Sequence, residues 1–211
     1  MRNTPMASWQ IASTETEIRQ RARIGALPLA LTLLVISVFI NYVDRGNISI
    51  AAPLLKTEFG VSASQLGILL SSFFWTYTAS LLACGWFVDR LDVNRVLAFG
   101  FLLWSLATAG TGLVHGFAAL LGMRMILGVG ESVAFPSYSK ILARHVPEHY
   151  RGFANGAIIA GMKLGPAAGT LGVGWLMTSF GWRPVFIGIG LVSLLWLPAW
   201  MKWRPRAEAT R

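Results

Sequence analysis

Apolar residues along this chain run in long unbroken stretches instead of alternating with polar ones, and short polar connections separate six such stretches. They cover residues 26–50, 64–88, 96–114, 117–142, 153–178 and 184–201. Each has about 20 residues, enough for a helix to cross a hydrocarbon core of ~30 Å. Continuous runs without a period of two exclude a transmembrane β-barrel. The pattern therefore predicts an all-α membrane protein, a bundle of six transmembrane helices over residues 25–201, with tails at 1–24 and 202–211. The first tail holds Arg19, Arg21 and Arg23 but no short apolar core followed by a small-residue cleavage site, so it reads as a retained cytosolic segment. Ser, Thr and Gly are frequent in the second, fourth and fifth stretches, which suits helices packed on helices.

Composition agrees with this reading: of 211 residues 55% are hydrophobic and 13% charged, against about 25% charged in soluble domains. A mean hydropathy of +0.58 excludes an ordinary soluble enzyme. The net charge of +9 would in a soluble protein point to nucleic acid, but sorting the basic residues by side of the membrane gives another explanation. One side collects Arg2, Arg19, Arg21, Arg23, Arg90, Arg95, Lys140, Arg144, Arg151, Lys202, Arg204, Arg206 and Arg211; the other has Lys56 and Arg183. That asymmetry places both termini in the cytoplasm and makes the protein a multi-pass component of the inner (cytoplasmic) membrane, with the lipid bilayer and not nucleic acid as partner. Trp182, Trp200 and Trp203 fall at span ends, where interfacial aromatics are expected. The single cysteine, Cys84, excludes an intrachain disulfide and a Cys-clustered zinc site, and His115, His145 and His149 fall in connections without a metal-ligand constellation. No nucleotide-binding loop is present, so the expectation is no metal and no cofactor, with an ion gradient as energy source.

Five ionisable residues lie inside the spans: Asp44, Arg45, Arg124, Glu131 and Lys163. Each would cost about 2.5–3.5 kcal/mol at a helix centre, so they should face a cavity or one another. Arg124 and Glu131 are seven residues apart on nearly one helix face, with Gly128 between them expected to leave open space. Tyr42, Arg45 and Ser49 share a face of the first span, while Asp44 points about 100° away from Arg45. Such a set suits a small organic anion held by Tyr42 and Arg45, with Asp44 and Glu131 exchanging protons and Arg124 tuning Glu131. A plainer reading is structural, with Arg124 paired to Glu131 and Asp44 to a neighbour. Lys163 could snorkel or pair with a span carboxylate.

The connection after the second span reads Gly85-Trp86-Phe87-Val88-Asp89-Arg90-Leu91-Asp92-Val93-Asn94-Arg95. It resembles the G-x-x-x-D-R-x-G-R-[KR] signature between helices two and three of the major facilitator superfamily, with Asp92 where that family usually has Gly and Asn94 where a basic residue is common. Here Gly85 should permit close helix approach, Asp89 should pair with Arg90 or Arg95, and Asp92 can tolerate a left-handed turn. Together they would form a latch on one access state. Tyr42-Val43-Asp44-Arg45-Gly46-Asn47, Phe73-Phe74-Trp75-Thr76-Tyr77 and Arg124…Gly128-Val129-Gly130-Glu131…Phe135-Pro136 are together similar to the anion:cation symporter family of that superfamily. Resemblance implies that Asp44 and Glu131 match its proton-linked carboxylates, and Tyr42, Arg45 and Arg124 its substrate- or charge-handling positions. It implies transport of sugar acids such as galactonate, glucarate or hexuronates.

A competing pattern in the fifth span, Gly152 through Gly161, Gly165-Pro166 and Gly169, resembles one found in drug/proton antiporters of the same superfamily, with Thr170 for its last Gly. Small residues at this spacing also allow tight packing, and Pro166 can bend the span. Three readings thus stand: proton-coupled symport of an organic anion, antiport, or a non-transporting six-span remnant or sensor. An enzyme is not expected, because no nucleophile–base pair is in view. Related carriers use two six-helix halves, so the chain is expected to be an amino-terminal half whose partner is a second half or another copy.

Overall fold

The computed structural model describes residues 6–205, with side chains from residue 27 onward, so the tail arginines at positions 2, 19, 21, 23, 206 and 211 lie outside the described side chains. Among the described residues six helices are long and apolar enough to cross a membrane. We label them α1 (Met6–Phe59, apolar over Leu27–Phe59), α2 (Ala63–Arg90), α3 (Val93–Thr111), α4 (Phe117–His145), α5 (Glu148–Phe180) and α6 (Trp182–Trp203). Each span predicted from the apolar runs is present. The largest difference is at the end of α1, which continues nine residues past Ile50 because Ala51, Leu54 and Leu55 keep an apolar face through Pro53.

Breaks inside the helices have covalent causes. Proline lacks the N–H that would bond the carbonyl four residues earlier. Accordingly α4 loosens at Ser132 and Val133, four and three residues before Pro136, and α6 at Leu194 and Leu195, ahead of Pro198. In α5 a π-helical stretch, Gly169–Val173, follows Pro166, whose carbonyl accepts from Thr170 Oγ1 at 2.8 Å. Gly60, Gly116 and Gly181 take positive φ at the three connections on one side of the bundle, a conformation only glycine adopts cheaply. On the other side Asp92 opens α3 by accepting from Asn94 N at 2.8 Å. Its φ of −64° corrects the expected left-handed turn: a helix N-cap needs extended backbone.

Helices approach where glycine removes the side chain. A Cβ at Gly161 would lie 2.7 Å from Val38 Cγ1, and one at Gly165 2.9 Å from Tyr42 Cβ, so this glycine face of α5 packs on α1, with Gly169 against Val43. Gly190 of α6 meets Ser105 O of α3, and Gly130 of α4 meets Trp104 N. Gly85 differs from its expected part: a Cβ there would meet nothing within 4 Å. Trp200 also departs from the interfacial expectation. It is fully buried, stacks on Trp196 and donates from Nε1 to Asn94 O at 3.1 Å, because this face of α6 packs against α3. Trp182 is likewise buried, and Trp203 is exposed at the end of α6. His145 closes α4 and His149 lies in the first turn of α5, so only His115 sits in a connection as expected.

Candidate functional site

Four of the five charges inside the spans, Asp44, Arg45, Arg124 and Glu131, gather where α1, α2 and α4 meet. Asp44 and Glu131 are buried, Arg124 nearly so, and Arg45 is half-buried. Arg45 Nε donates to Glu131 Oε2 at 2.5 Å, a charge-assisted bond between α1 and α4. Its guanidinium carbon lies 4.9 Å from the Tyr42 ring centroid, 5.0 Å from Phe73 and 4.7 Å from Tyr77. Three aromatic rings thus supply cation–π contact to a charge held in a water-poor environment. Arg124 Nη2 donates to the Arg45 carbonyl at 3.0 Å, and its guanidinium also lies 5.0 Å from Phe73. One phenyl ring therefore touches both cations. Asp44 stands apart on α1, accepting from Asn47 Nδ2 at 3.4 Å, and Asn41, Ser105 and Thr108 extend this buried polar tier.

This geometry corrects two expectations. The glutamate partner is Arg45 and not Arg124, because Arg124 is turned to the α1 backbone one helix away. Nor does Gly128 leave open space: a Cβ there would lie 2.5 Å from Phe73 O and 3.1 Å from Tyr77 N, so α2 fills the gap. Thr76 Oγ1 fastens the contact by donating to Met125 O at 2.8 Å. Phe73 and Tyr77 belong to the site although charge alone did not mark them. Their signal was an aromatic pair four residues apart on one helix face, and the rings stack with centroids 5.4 Å apart. Ser49, expected on the Tyr42 and Arg45 face, is exposed, and Lys163 is exposed on α5 without an ion pair among the described residues.

At one end of the bundle Asp89 pairs with Lys140 of α4 at 3.2 Å, and Lys140 Nζ also donates to Val88 O at 2.5 Å. The expected Arg90 and Arg95 partners are engaged elsewhere. Arg90 lies over Trp86 and Arg95 sits 3.9 Å from Asp92, since α3 carries Arg95 away from the α2 terminus. At the other end Glu58 binds Trp182 Nε1 at 2.6 Å and Arg183 Nη2 at 2.8 Å, while Arg183 Nη1 donates to Val114 O at 2.8 Å. Cys84 is buried beside Ser132, with 3.0 Å between Sγ and Oγ. Among the described residues no group of three or more His, Cys, Asp or Glu gathers as a metal site. An apolar groove lined by Phe39, Val43, Phe180 and Ile189 carries no charged side chain.

Six membrane-length helices among the described residues pack by glycine contacts around a buried charged tier. The profile of the Major Facilitator Superfamily matches residues 34–211, and the chain belongs to that superfamily. It is 37% identical over 176 residues to the probable sulfoacetate transporter SauU of Cupriavidus necator, covering 83% of this chain and 41% of that protein. The D-galactonate transporter of Escherichia coli is 34% identical over 174 residues, 82% of this chain and 40% of its own length. The chloroplastic sodium-dependent phosphate transport protein 1 of Arabidopsis thaliana is 37% identical over 160 residues, which is 75% of this chain and 31% of that one. This chain thus spans less than half the length of these relatives. A solved bacterial homologue of the human lysosomal transporter Spinster, inward-facing and occupied, superposes with a TM-score of 0.72 at 24% identity over 83% of this chain and 43% of its own, which shows the shared fold.

Proposed function

We propose that this bundle is one six-helix half of a secondary transporter that carries a small organic anion, a sugar acid, together with protons by alternating access. It sits in the inner membrane with both termini cytoplasmic, and its partner is a second six-helix half or another copy of the chain. The Arg45–Glu131 ion pair carries the proposal. While Glu131 is ionised it occupies Arg45; once it takes a proton, the guanidinium inside the ring of Tyr42, Phe73 and Tyr77 becomes available to an anion. Substrate and proton then arrive together, and neither charge is left alone in the membrane. Arg124 adds a second positive charge beside Phe73, and Asp44 supplies a separate carboxylate for a second proton. Relatives that carry sulfoacetate, D-galactonate and phosphate by name support an acidic solute.

At the cytoplasmic end, Asp89 with Lys140 and Val88 forms the latch that steadies one access state. The experiment is uptake of labelled galactonate into proteoliposomes under an inward proton gradient. The wild-type half assembled with its second half or another copy accumulates it and the Glu131→Gln assembly does not; accumulation by a folded Glu131→Gln protein would overturn the role of Glu131, and robust transport by a lone six-helix monomer would overturn the half reading. Efflux driven by the same gradient would establish antiport instead, and neither movement would leave a non-transporting bundle.

A further inference from the structure

Asn41 has no place in the mechanism above, yet it stands inside the contact that carries it. It is fully buried, and neither its Oδ1 nor its Nδ2 closes a hydrogen bond among the described residues. A buried amide left without its bonds costs about 1–3 kcal/mol, so a helix that keeps one needs a reason. The surrounding geometry is a ladder between α1 and α4. Ser37 Oγ and Tyr138 Oη are 2.6 Å apart at one rung, and Arg45 Nε donates to Glu131 Oε2 at the other. Ser37, Asn41 and Arg45 follow at intervals of four and Glu131 and Tyr138 are seven apart, so each set keeps nearly one helix face. Asn41 is the middle position, about 6 Å along the axis from either rung. Ala134 and Phe135, between the rungs on α4, offer it no polar side chain.

The amide faces the Glu131 carboxylate instead. Oε2 of that carboxylate is taken by Arg45, while Oε1 has no partner among the described residues. An amide can bond a carboxyl group in either protonation state, its NH2 donating to the ion and its carbonyl accepting from the acid, whereas a guanidinium only donates. Protonation therefore weakens the hold of Arg45 on Glu131 and gives Asn41 Oδ1 a hydrogen to accept. Glu131 is suited to a swing between them, since it ends the regular part of α4 just before Ser132 and Val133. The other titratable or charged side chains around Glu131 are Tyr42, Asp44 and Arg45 of α1 and Arg124 and Tyr138 of α4, with Tyr77 of α2 beside Arg45. We propose that Asn41 is a positioning residue that receives protonated Glu131, the acid O–H donating to Asn41 Oδ1, and so draws the side chain off Arg45 and leaves the guanidinium to the anion. The inference rests on the proton-coupled reading above.

Difference infrared spectroscopy of the purified 211-residue protein in nanodiscs tests it by following the carbonyl band of protonated Glu131, assigned by its loss in Glu131→Gln. In Asn41→Leu, similar in shape and without an acceptor, half-protonation of Glu131 should need about tenfold more protons than in wild type, the scale of one hydrogen bond. Asn41→Gln, which keeps the amide, should restore the wild-type midpoint. Where leucine prevents folding, the smaller Asn41→Val should show the same displacement. An amide that only fills space would change the melting temperature and leave the midpoint in place. An unchanged midpoint in a folded Asn41→Leu or Asn41→Val protein would thus overturn the role of Asn41 while Glu131 remained a proton carrier. If no Glu131 band titrates in wild type, the proton-coupled reading fails and this inference with it.

Discussion

Helices α2 and α3 are both apolar enough to span a membrane, yet 61% of the most apolar stretch of α3 is buried in the bundle and only 17% of that of α2. Helix α3 is the keystone, with Leu97, Phe101 and Trp104 fully enclosed and Ser105 and Thr108 turned inward. Helix α2 offers one narrow face, Phe73 and Thr76, to α4 and leaves Phe74, Trp75, Leu82, Trp86 and Phe87 exposed. Hydropathy alone does not separate a helix that holds the bundle together from one that carries the site on one edge and presents the other outward. The difference is made by small and polar residues, which mark protein-facing surface when lipid is as apolar as leucine.

The largest effect should come from the contact that joins the site across helices. Glu131→Ala strips the half-buried Arg45 guanidinium of its fully buried counter-charge, and truncation of one member of a buried pair costs at most about 3–5 kcal/mol. Thermal unfolding in detergent should show that loss, with Arg45→Ala similar and the double variant less destabilised than the sum of the two; additive losses would mean that the residues do not interact. Next comes Gly128→Val, which drives a branched side chain into the α2 backbone near Phe73 and Tyr77 and should cost about 1–3 kcal/mol. The equivalent change at Gly85, on the exposed reach of α2, should leave the melting temperature where it was, and equal losses at the two glycines would erase the contrast between faces. Glu58→Gln weakens the partly exposed knot with Trp182 and Arg183 and should cost about 1 kcal/mol or less, diminishing at high salt. Lys163→Gln is the smallest: without an ion pair to break, its melting temperature should match wild type.

All six spans were legible in the sequence, since a run of apolar residues long enough to cross lipid has few other uses. The charged tier was legible for the opposite reason, Asp44, Arg45, Arg124 and Glu131 being out of place in such runs. Which charge meets which was not legible. Spacing along α4 puts Arg124 and Glu131 on one face, but it contains nothing about α1 arriving there with Arg45 ahead of Arg124. The same limit hid Lys140 as the partner of Asp89, fifty-one residues away in sequence. It also hid the inward turn of Trp200, since a tryptophan at a span end serves a lipid interface or a packed core equally well.

The Phe73 ring, 5.0 Å from the guanidinium carbons of both Arg45 and Arg124, has a consequence for ionic strength. Mobile counterions screen charges that water surrounds, over about 8 Å at physiological salt, but they do not enter a wall of aromatic carbon. In the proposed anion carrier, the attraction of these two arginines for an anion seated beside them should therefore hardly change between dilute and concentrated buffer. Salt should act on how fast the anion arrives, leaving its rate of departure nearly constant.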